Sequence, residues 1–487
     1  MINKYRDIIN FKLLVSLTLA IILGLLIIYL SNIQSFLNYH YFLKYAVFLS
    51  LSVLCIYKIQ QKHSFYLPSF YLFMFFLIIP IFGVPGYLFA YRKLYPDYMG
   101  VQLDVKHALD FWLQGTFFII LGIFLIHIIK RFILKFQISN KRANRYISWN
   151  WRRFNFMLFL LGGIAFVFSI ATILKVGYIP ILKGNIGFER YSYFIETGEW
   201  TFKMARLWTL VYLFAFIWLL RNIKIDKTFY IRKNLFLIIT LIFSFFIEGI
   251  YGDRFRQFIM VFFSVIMFNK AIKKIRISYF CSFFLLGILF ANVVVVARSK
   301  NFRELKVSVP EKIILNTFSE FQSFAYAVQE YPESKFLHGK AFIGTLAPFL
   351  PKQVWEVFNL NKRELLHLSS ASIMKKIHHA SLGIRIGIIG EGFINFGYLG
   401  IIIVPLFSGI LFGILENIFI SLKLFDVKEI ILAFAISILM FLPIAQTNAL
   451  TAIFPLLTYL IIICIIFFNK KTNLTDPQNL DHPSIEN

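Results

Sequence analysis

The stretch FNFMLFLLGGIAFVFSIATIL, residues 154–174, decides the fold class, because it is predominantly apolar and contains no charged side chain. A helix needs roughly 20 apolar residues to cross a hydrocarbon layer about 30 Å thick, and this run has that length. The composition of the whole chain agrees, with 59% hydrophobic and 15% charged residues, against about 45–50% and about 25% in soluble domains. The chain is therefore predicted to be an integral membrane protein, and the soluble, coiled-coil, disordered and disulfide-scaffold classes are excluded.

Outward from this run, the sequence contains further apolar runs of similar length on both sides. They predict an all-α fold, a polytopic integral membrane protein with about 12 transmembrane helices. The seventh and eighth runs are short, which leaves open one bent hairpin or two short helices. The predicted spans are 12–30, 41–57, 65–91, 108–129, 154–174, 202–220, 235–250, 255–268, 277–297, 397–420, 430–446 and 451–468.

The distribution of positive charge predicts the orientation of these spans. The chain has 50 Lys and Arg against 24 Asp and Glu, a formal net charge of +26, and short cytoplasmic loops of membrane proteins collect such basic residues. The loops 130–153, 221–233 and 270–276 are strongly basic and are separated by even numbers of predicted spans. They therefore share one side with both termini, which are predicted to be cytoplasmic. Topology explains this basic charge better than a nucleic-acid partner does.

One long connection, residues 298–396, contains no convincing spanning run and falls on the external side. Connections of this length are usually functional. Its helical piece 311–330 and its proline-punctuated piece 345–355 have apolar sides that we expect to pack on the membrane face. The predicted organisation is nine spans in residues 1–297, a large external loop in 298–396, three spans in 397–468 and a disordered cytoplasmic tail in 469–487.

Charged residues cluster in EGIYGDRFRQF, residues 248–258, at the external turn between the seventh and eighth spans. Asp253, Arg254 and Arg256 lie in this turn. Two guanidinium groups at a membrane–water boundary suit bidentate binding of a pyrophosphate. The alternative is a charged turn whose Asp and Arg pair locally, because turns need polar residues.

The richest glycine stretch, HHASLGIRIGIIGEGFINFGYLG, covers residues 378–400. Glycines at spacings of three and four let helices approach closely, which is the packing interpretation. Arg385 and Glu391 favour a functional interpretation, because packing glycines do not require charged neighbours. Ahead of them, His378 and His379 are candidates for a general base, since histidine suits proton removal from a hydroxyl. Solvated loop histidines are the alternative, and adjacent histidines make a poor metal site.

Two further arginines, Arg190 and Arg298, are predicted on the external side. They are candidates for binding an anionic substrate, and the alternative is that each extends its side chain to the membrane interface. The sequence contains no Walker loop, dinucleotide fingerprint, serine elbow or zinc motif. We therefore expect neither a cofactor nor a metal.

Three segments resemble the oligosaccharide repeat-unit polymerases of O-antigen and capsule synthesis. GDRFRQ (252–257) resembles a short Gly–x–Arg turn of that family, and HGKAFIGTLAPFLPKQVWEV (338–357) is similar to its loop signature. GEGFINFGYLG (390–400), which includes Asn395, resembles the stretch that enters its next span. Twelve spans with cytoplasmic ends and a late external loop are also typical of these proteins.

The resemblance implies a glycosyltransferase of the bacterial inner membrane that joins undecaprenyl-pyrophosphate-linked repeat units on the external face. It implies no nucleotide sugar and no metal, and it makes a chain-length regulator protein a partner to test for. The implied base is Glu391, His379 or His378, in that order. The residues implied to bind substrate are Arg254, Arg256, Arg385, Arg298, Arg190, Asp253 and Asn395.

Two other functions remain open at this point. An O-antigen ligase uses the same lipid-linked donor and also has a late external loop. A flippase for lipid-linked oligosaccharides is the transporter alternative, but related halves are common in transporters and the sequence shows no internal repeat.

Overall fold

In a computed structural model of the protein, the described residues are helical apart from short turns. Of the predicted spans, the first, second, ninth and twelfth lie outside these residues, as do both termini and the tail 469–487. The structure describes residues 69, 72, 76, 79, 105–133, 151–179, 196–197, 199–226, 230–250, 254–271, 319–330, 336–340, 342, 352–357, 387–422, 432–437 and 439–440.

The longer helices follow the apolar runs of the sequence. In chain order, the helices are α1 (Val105–Ile133), α2 (Trp151–Val176), α3 (Glu199–Ala205), α4 (Trp208–Asp226), α5 (Ile231–Ile250), α6 (Arg254–Ala271), α7 (Ser319–Glu330), α8 (Lys352–Val357) and α9 (Gly387–Ser421).

Four stretches of the described residues are long and apolar enough to cross a membrane: His107–Lys130, Phe154–Val176, Ile231–Ile250 and Gly387–Ser421. They correspond to the predicted fourth, fifth, seventh and tenth spans. The described part of the chain therefore has the all-helical character and the apolar helices that the sequence predicts for a helical membrane protein.

The short seventh and eighth runs form two separate helices, α5 and α6, divided by residues 251–253. Both helices are longer than the apolar runs that predict them. Basic residues such as Arg232, Lys233 and Lys270 extend the helices, since long basic side chains can reach the interface from a helix end. The Gln257 side chain donates a hydrogen bond to the Phe245 carbonyl at 2.9 Å, which joins the adjacent ends of the two helices.

The sixth predicted span, 202–220, is not one continuous helix. α3 ends at Ala205 and α4 begins at Trp208. At the break, the Leu207 amide bonds to the Met204 carbonyl at 3.2 Å, three residues back instead of four. The apolar pattern continues across this break and so did not reveal it.

α9 consists of two arms, 387–396 and 398–421, which reverse direction at Gly397. Its φ of 63° is a conformation that glycine adopts readily. Residues eight apart in a continuous helix are about 12 Å apart along the axis, but a β-carbon added at Gly400 would overlap the Gly392 carbonyl oxygen. The second arm corresponds to the predicted tenth span, and the first arm lies in the segment predicted as external loop.

The second arm of α9 packs closely along α1. A β-carbon at Gly409 would overlap the Ile119 carbonyl, and one at Gly413 would lie 2.9 Å from the Ile126 side chain. Because residue numbers rise together in the two helices, α1 and this arm run parallel. The predicted topology requires the same direction, since the fourth and tenth spans both run from the outside inward.

α7, which lies within the predicted helical piece 311–330, packs its apolar side on α1. Phe321 and Phe324 are fully buried, and their rings meet the edge of Trp112 at 6.0 and 5.4 Å. The Trp112 indole nitrogen also donates a hydrogen bond to the Phe76 carbonyl at 2.9 Å. Trp112 thus joins part of the long connection to the apolar helices.

A second group of helices is formed by α2, α4 and α5. Phe154 of α2 stacks on Phe214 of α4 at 4.9 Å, and Trp208 of α4 meets Phe243 of α5 at 5.1 Å. The other sides of α2 and α5 expose large apolar residues, such as Phe156 at 65%. Faces of this kind are expected of helices that contact lipid.

Candidate functional site

The turn at Gly397 forms a docking site for a segment of the long connection. Helices leave their last carbonyl groups without partners inside the helix, and the first arm of α9 ends at this turn. The Leu337 amide donates to the Ile394 carbonyl at 3.1 Å, and the His338 amide donates to the Asn395 carbonyl at 2.8 Å. The end of the first arm is thus capped by backbone groups from a distant part of the chain.

Aromatic rings close the same contact. A β-carbon at Gly397 would lie 2.7 Å from the Phe336 ring, so only glycine fits under that ring. Phe336 also meets Phe393 edge-on at 5.9 Å, and Phe342 stacks with Phe396 at 6.3 Å. His338 has a φ of 47°, unusual for a residue other than glycine. This close fit holds residues 336–340 and Phe342 in a defined position at the turn.

Glu391 lies on the first arm and is only 2% exposed. Its backbone carbonyl accepts a hydrogen bond at 2.8 Å from the side-chain amide of Asn395, which is fully buried. Phe393, two residues further along, packs against Phe111 of α1 at 5.9 Å. A buried carboxylate is costly and is often found at functional sites, so Glu391 stays a candidate, while Asn395 has a local structural contact.

A buried ion pair that the sequence analysis missed lies where α5 ends. The guanidinium of Arg206 contacts the Glu248 carboxylate at 3.2 Å, with the two side chains 5% and 0% exposed. The Thr209 hydroxyl donates to the other Glu248 oxygen at 2.9 Å. We call these three residues the Glu248 site. Arg206 lies inside the predicted sixth span. A charged residue within an apolar run was the sequence signal that could have identified it.

The arginine turn predicted from GDRFRQ follows the Glu248 site directly. Arg254 is the first residue of α6 and Arg256 lies in its first turn, while Asp253 lies outside the described residues. Gln257 is buried and bonded to α5, and a β-carbon at Gly249 would lie 2.5 Å from its amide nitrogen. The start of α6 is therefore packed tightly on the end of α5.

A second polar site joins α1, α9 and Ser69 near the end of α9. The fully buried Glu416 carboxylate contacts His127 of α1 at 3.1 Å and accepts a hydrogen bond from the Ser69 amide at 2.8 Å. We call these residues the Glu416 site. Glu416 and His127 each interrupt a predicted apolar span, so they too could have been identified as polar residues within an apolar run.

Six predicted site residues cannot be related to this geometry, because they lie outside the described residues: His378, His379, Arg385, Arg298, Arg190 and Asp253. In the described part of the chain, no group of three or more His, Cys, Asp or Glu residues is arranged to hold a metal ion.

No protein-family model matches the sequence, and no curated protein or solved structure shows significant similarity to the chain.

Proposed function

We propose that this protein is an oligosaccharide repeat-unit polymerase, a glycosyltransferase of the bacterial inner membrane with twelve spans, cytoplasmic termini and a large external loop. It joins undecaprenyl-pyrophosphate-linked repeat units into a surface polysaccharide, either O-antigen or capsule.

One observation carries this proposal: two segments that separately resemble the family meet in space. His338 begins the loop segment 338–357, and Asn395 lies in the segment 390–400; their backbones are bonded at 2.8 Å. The same arm carries the buried Glu391. A loop docked on the arm that carries a buried carboxylate is what a transferase needs in order to cover a lipid-linked sugar and exclude water.

In the proposed reaction, a hydroxyl oxygen of the acceptor sugar attacks the anomeric carbon of the donor glycan. The bond from that carbon to the pyrophosphate oxygen breaks, and undecaprenyl pyrophosphate leaves with the electron pair. Glu391, or His379 or His378, accepts the hydroxyl proton. Fixed cations stabilise the charge that develops on the leaving group, and this role is proposed for Arg254, Arg256, Arg385, Arg298 and Arg190.

The parallel direction of α1 and the second arm of α9 supports the proposed topology. In it, both helices enter the membrane from the external side, so the turn at Gly397 and the docked residues 336–340 lie at the external boundary. The lipid-linked donor is presented at that boundary.

The test is deletion of the gene in its native host, with lipid-linked glycans separated by size. Accumulation of single repeat units, reversed by the wild-type chain, is the expected result. A normal polymer that fails to reach the cell surface acceptor points to a ligase, and glycan trapped on the cytoplasmic face points to a flippase. Either result overturns the proposal.

A matched pair of variants tests the base. Glu391→Gln and Glu416→Gln each neutralise a buried carboxylate of α9, but only Glu391 lies on the arm held by the docked loop. We expect Glu391→Gln to leave single repeat units and Glu416→Gln to give a long polymer, at equal protein levels in the membrane. Normal polymer from Glu391→Gln removes Glu391 from the mechanism.

A further inference from the structure

The Glu248 site lies shortly before the first helical turn of α6, which carries Arg254 and Arg256. Glu248 is in the last turn of α5, and only residues 251–253 separate α5 from α6. Any displacement of the end of α5 is therefore passed to the start of α6 through a very short connection.

Two contacts hold Glu248 from the side of α4. Arg206 lies at the break between α3 and α4 and binds one carboxylate oxygen, while Thr209, in the first turn of α4, binds the other. The Arg206 guanidinium also lies 5.4 Å from the centre of the Phe202 ring, so α3 contributes to its position. The carboxylate is thus oriented by one donor at the helix break and a second donor at the start of α4.

The end of α5 is in turn bonded to the first turn of α6. Gln257 donates to the Phe245 carbonyl at 2.9 Å, and its amide lies directly over Gly249. These contacts link Arg206 to Glu248 and, at the same end of α5, link Phe245 and Gly249 to Gln257 in the first turn of α6.

Arg206 and Glu248 do not themselves suit contact with a substrate. Their side chains are 5% and 0% exposed, and a buried ion pair is costly to build unless both charges are held by good geometry and further hydrogen bonds. Such a pair can instead fix the separation between two helices, and this role requires no contact with the substrate.

We propose that Arg206, Glu248 and Thr209 are positioning residues that set the place of Arg254 and Arg256 against the pyrophosphate of the lipid-linked donor. This inference rests on the proposed polymerase function. A displacement of about 1 Å in a positioning group can reduce catalysis by as much as about 100-fold. A change at the Glu248 site is expected to displace Arg254 and Arg256 and so to weaken their contact with the donor.

The experiment compares purified wild-type protein with Glu248→Gln, Thr209→Val and the control Glu416→Gln. Glu416 is also a fully buried carboxylate, but it lies in the Glu416 site, away from the arginine turn. The donor is the lipid-linked single repeat unit extracted from the deletion strain, and rates are expressed per folded protein measured by size-exclusion chromatography.

We expect Glu248→Gln to raise the KM for the donor by about tenfold, Thr209→Val to raise it by a smaller factor, and Glu416→Gln to leave it unchanged. Loss of folded protein alone lowers the maximal rate and leaves KM unchanged, so KM separates positioning from stability. Thr209→Val retains the ion pair and carries the test if Glu248→Gln does not fold.

Hydrogen exchange in detergent provides a readout that does not depend on activity. Amides in residues 249–258 are expected to exchange faster in Glu248→Gln and Thr209→Val than in the wild type, but not in Glu416→Gln. Unchanged exchange in that segment overturns the inference. So does faster exchange with an unchanged KM, or an equal rise of KM in Glu416→Gln.

The two proposals fail differently. If the wild-type chain elongates the donor but KM does not respond at the Glu248 site, the positioning role is wrong and the polymerase function stands. If the wild-type chain does not elongate the donor at all, the polymerase function is wrong, and the assignment of the arginine turn to a donor pyrophosphate is wrong with it.

Discussion

Two regions of the molecule hold their helices together in different ways. In the glycine-packed region, α1 and the two arms of α9, glycines bring backbones into direct contact, as Gly409 does with Ile119. In the polar-tied region, α2 to α5, side chains form the connections: Arg206 with Glu248, the Trp208 indole with the Ser169 hydroxyl at 3.0 Å, and the Asn222 amide with Asn234 at 2.9 Å.

The difference follows from the solvent of a membrane protein. Lipid tails are as apolar as leucine side chains, so apolar burial alone does not drive helices together, and association depends on close packing or on interhelical hydrogen bonds. The glycine-packed region relies mainly on close packing, and the polar-tied region relies mainly on interhelical polar contacts. The glycine-packed region has its main polar contacts, the Glu416 site and the Lys130–Asn417 bond at 2.8 Å, near the end of α9.

The contrast is clearest for glycines that look alike in the sequence. Gly162 and Gly163 interrupt the apolar run of α2, as Gly409 and Gly413 interrupt that of α9. Among the described residues, a β-carbon at either of the first two meets nothing within 4 Å, whereas one at Gly409 overlaps backbone. Glycine spacing alone therefore does not tell which glycines pack.

The largest expected effect is in the polar-tied region. Glu248→Leu leaves the buried Arg206 without its carboxylate, and we expect it to lower the free energy of unfolding by about 3–5 kcal/mol. Thermal or denaturant unfolding of the detergent-purified protein measures the change.

The double variant Arg206→Met with Glu248→Leu serves as its control. Replacing a whole buried pair by apolar side chains is often neutral, so the double variant is expected to recover most of the loss. A double variant as unstable as the single one contradicts the view that an uncompensated charge causes the loss.

The next largest effect is in the glycine-packed region. Gly400→Ala places a methyl group on the Gly392 carbonyl, which no side-chain rotation relieves, so the two arms of α9 must separate. We expect a loss of about 3 kcal/mol, the upper part of the range for overpacking, in the same unfolding assay. If the variant is as stable as the wild type, the two arms are not in contact.

A smaller effect is expected at Thr209. Thr209→Val removes one hydrogen bond to Glu248 and keeps the shape of the side chain, so the expected cost is about 1–3 kcal/mol at a buried charged acceptor. The control is Thr240→Val, because that hydroxyl bonds only within its own helix, to the Phe236 carbonyl. Equal losses in the two variants show that the bond to Glu248 adds nothing.

The smallest effect is expected on α2. Gly162→Ala introduces a methyl group that meets no atom of the described residues within 4 Å, and it replaces a poor helix former by a good one. The protein should therefore be unchanged or more stable by up to about 1 kcal/mol. A clear loss of stability here indicates that a further part of the chain packs on this face of α2, and it removes the contrast with Gly400.

Part of the fold and of the site was predictable from local patterns. The runs 108–129, 154–174 and 235–250 lie within α1, α2 and α5, because a run of apolar residues is sufficient to form a spanning helix. Glu391 was identified because a carboxylate is rare in such surroundings. The break at Arg206 and the reversal at Gly397 were not predicted, because both depend on contacts with residues far along the chain.

The sequence by itself determined that this is a helical membrane protein. In lipid every backbone group must be satisfied within its own segment, so length and apolarity decide a spanning helix locally. Only the tertiary structure decided which polar residues meet: Arg206 with Glu248, His127 with Glu416, and the His338 backbone with that of Asn395. These partners come from different helices or distant segments, and their pairing depends on how the chain packs, which no local run of residues specifies.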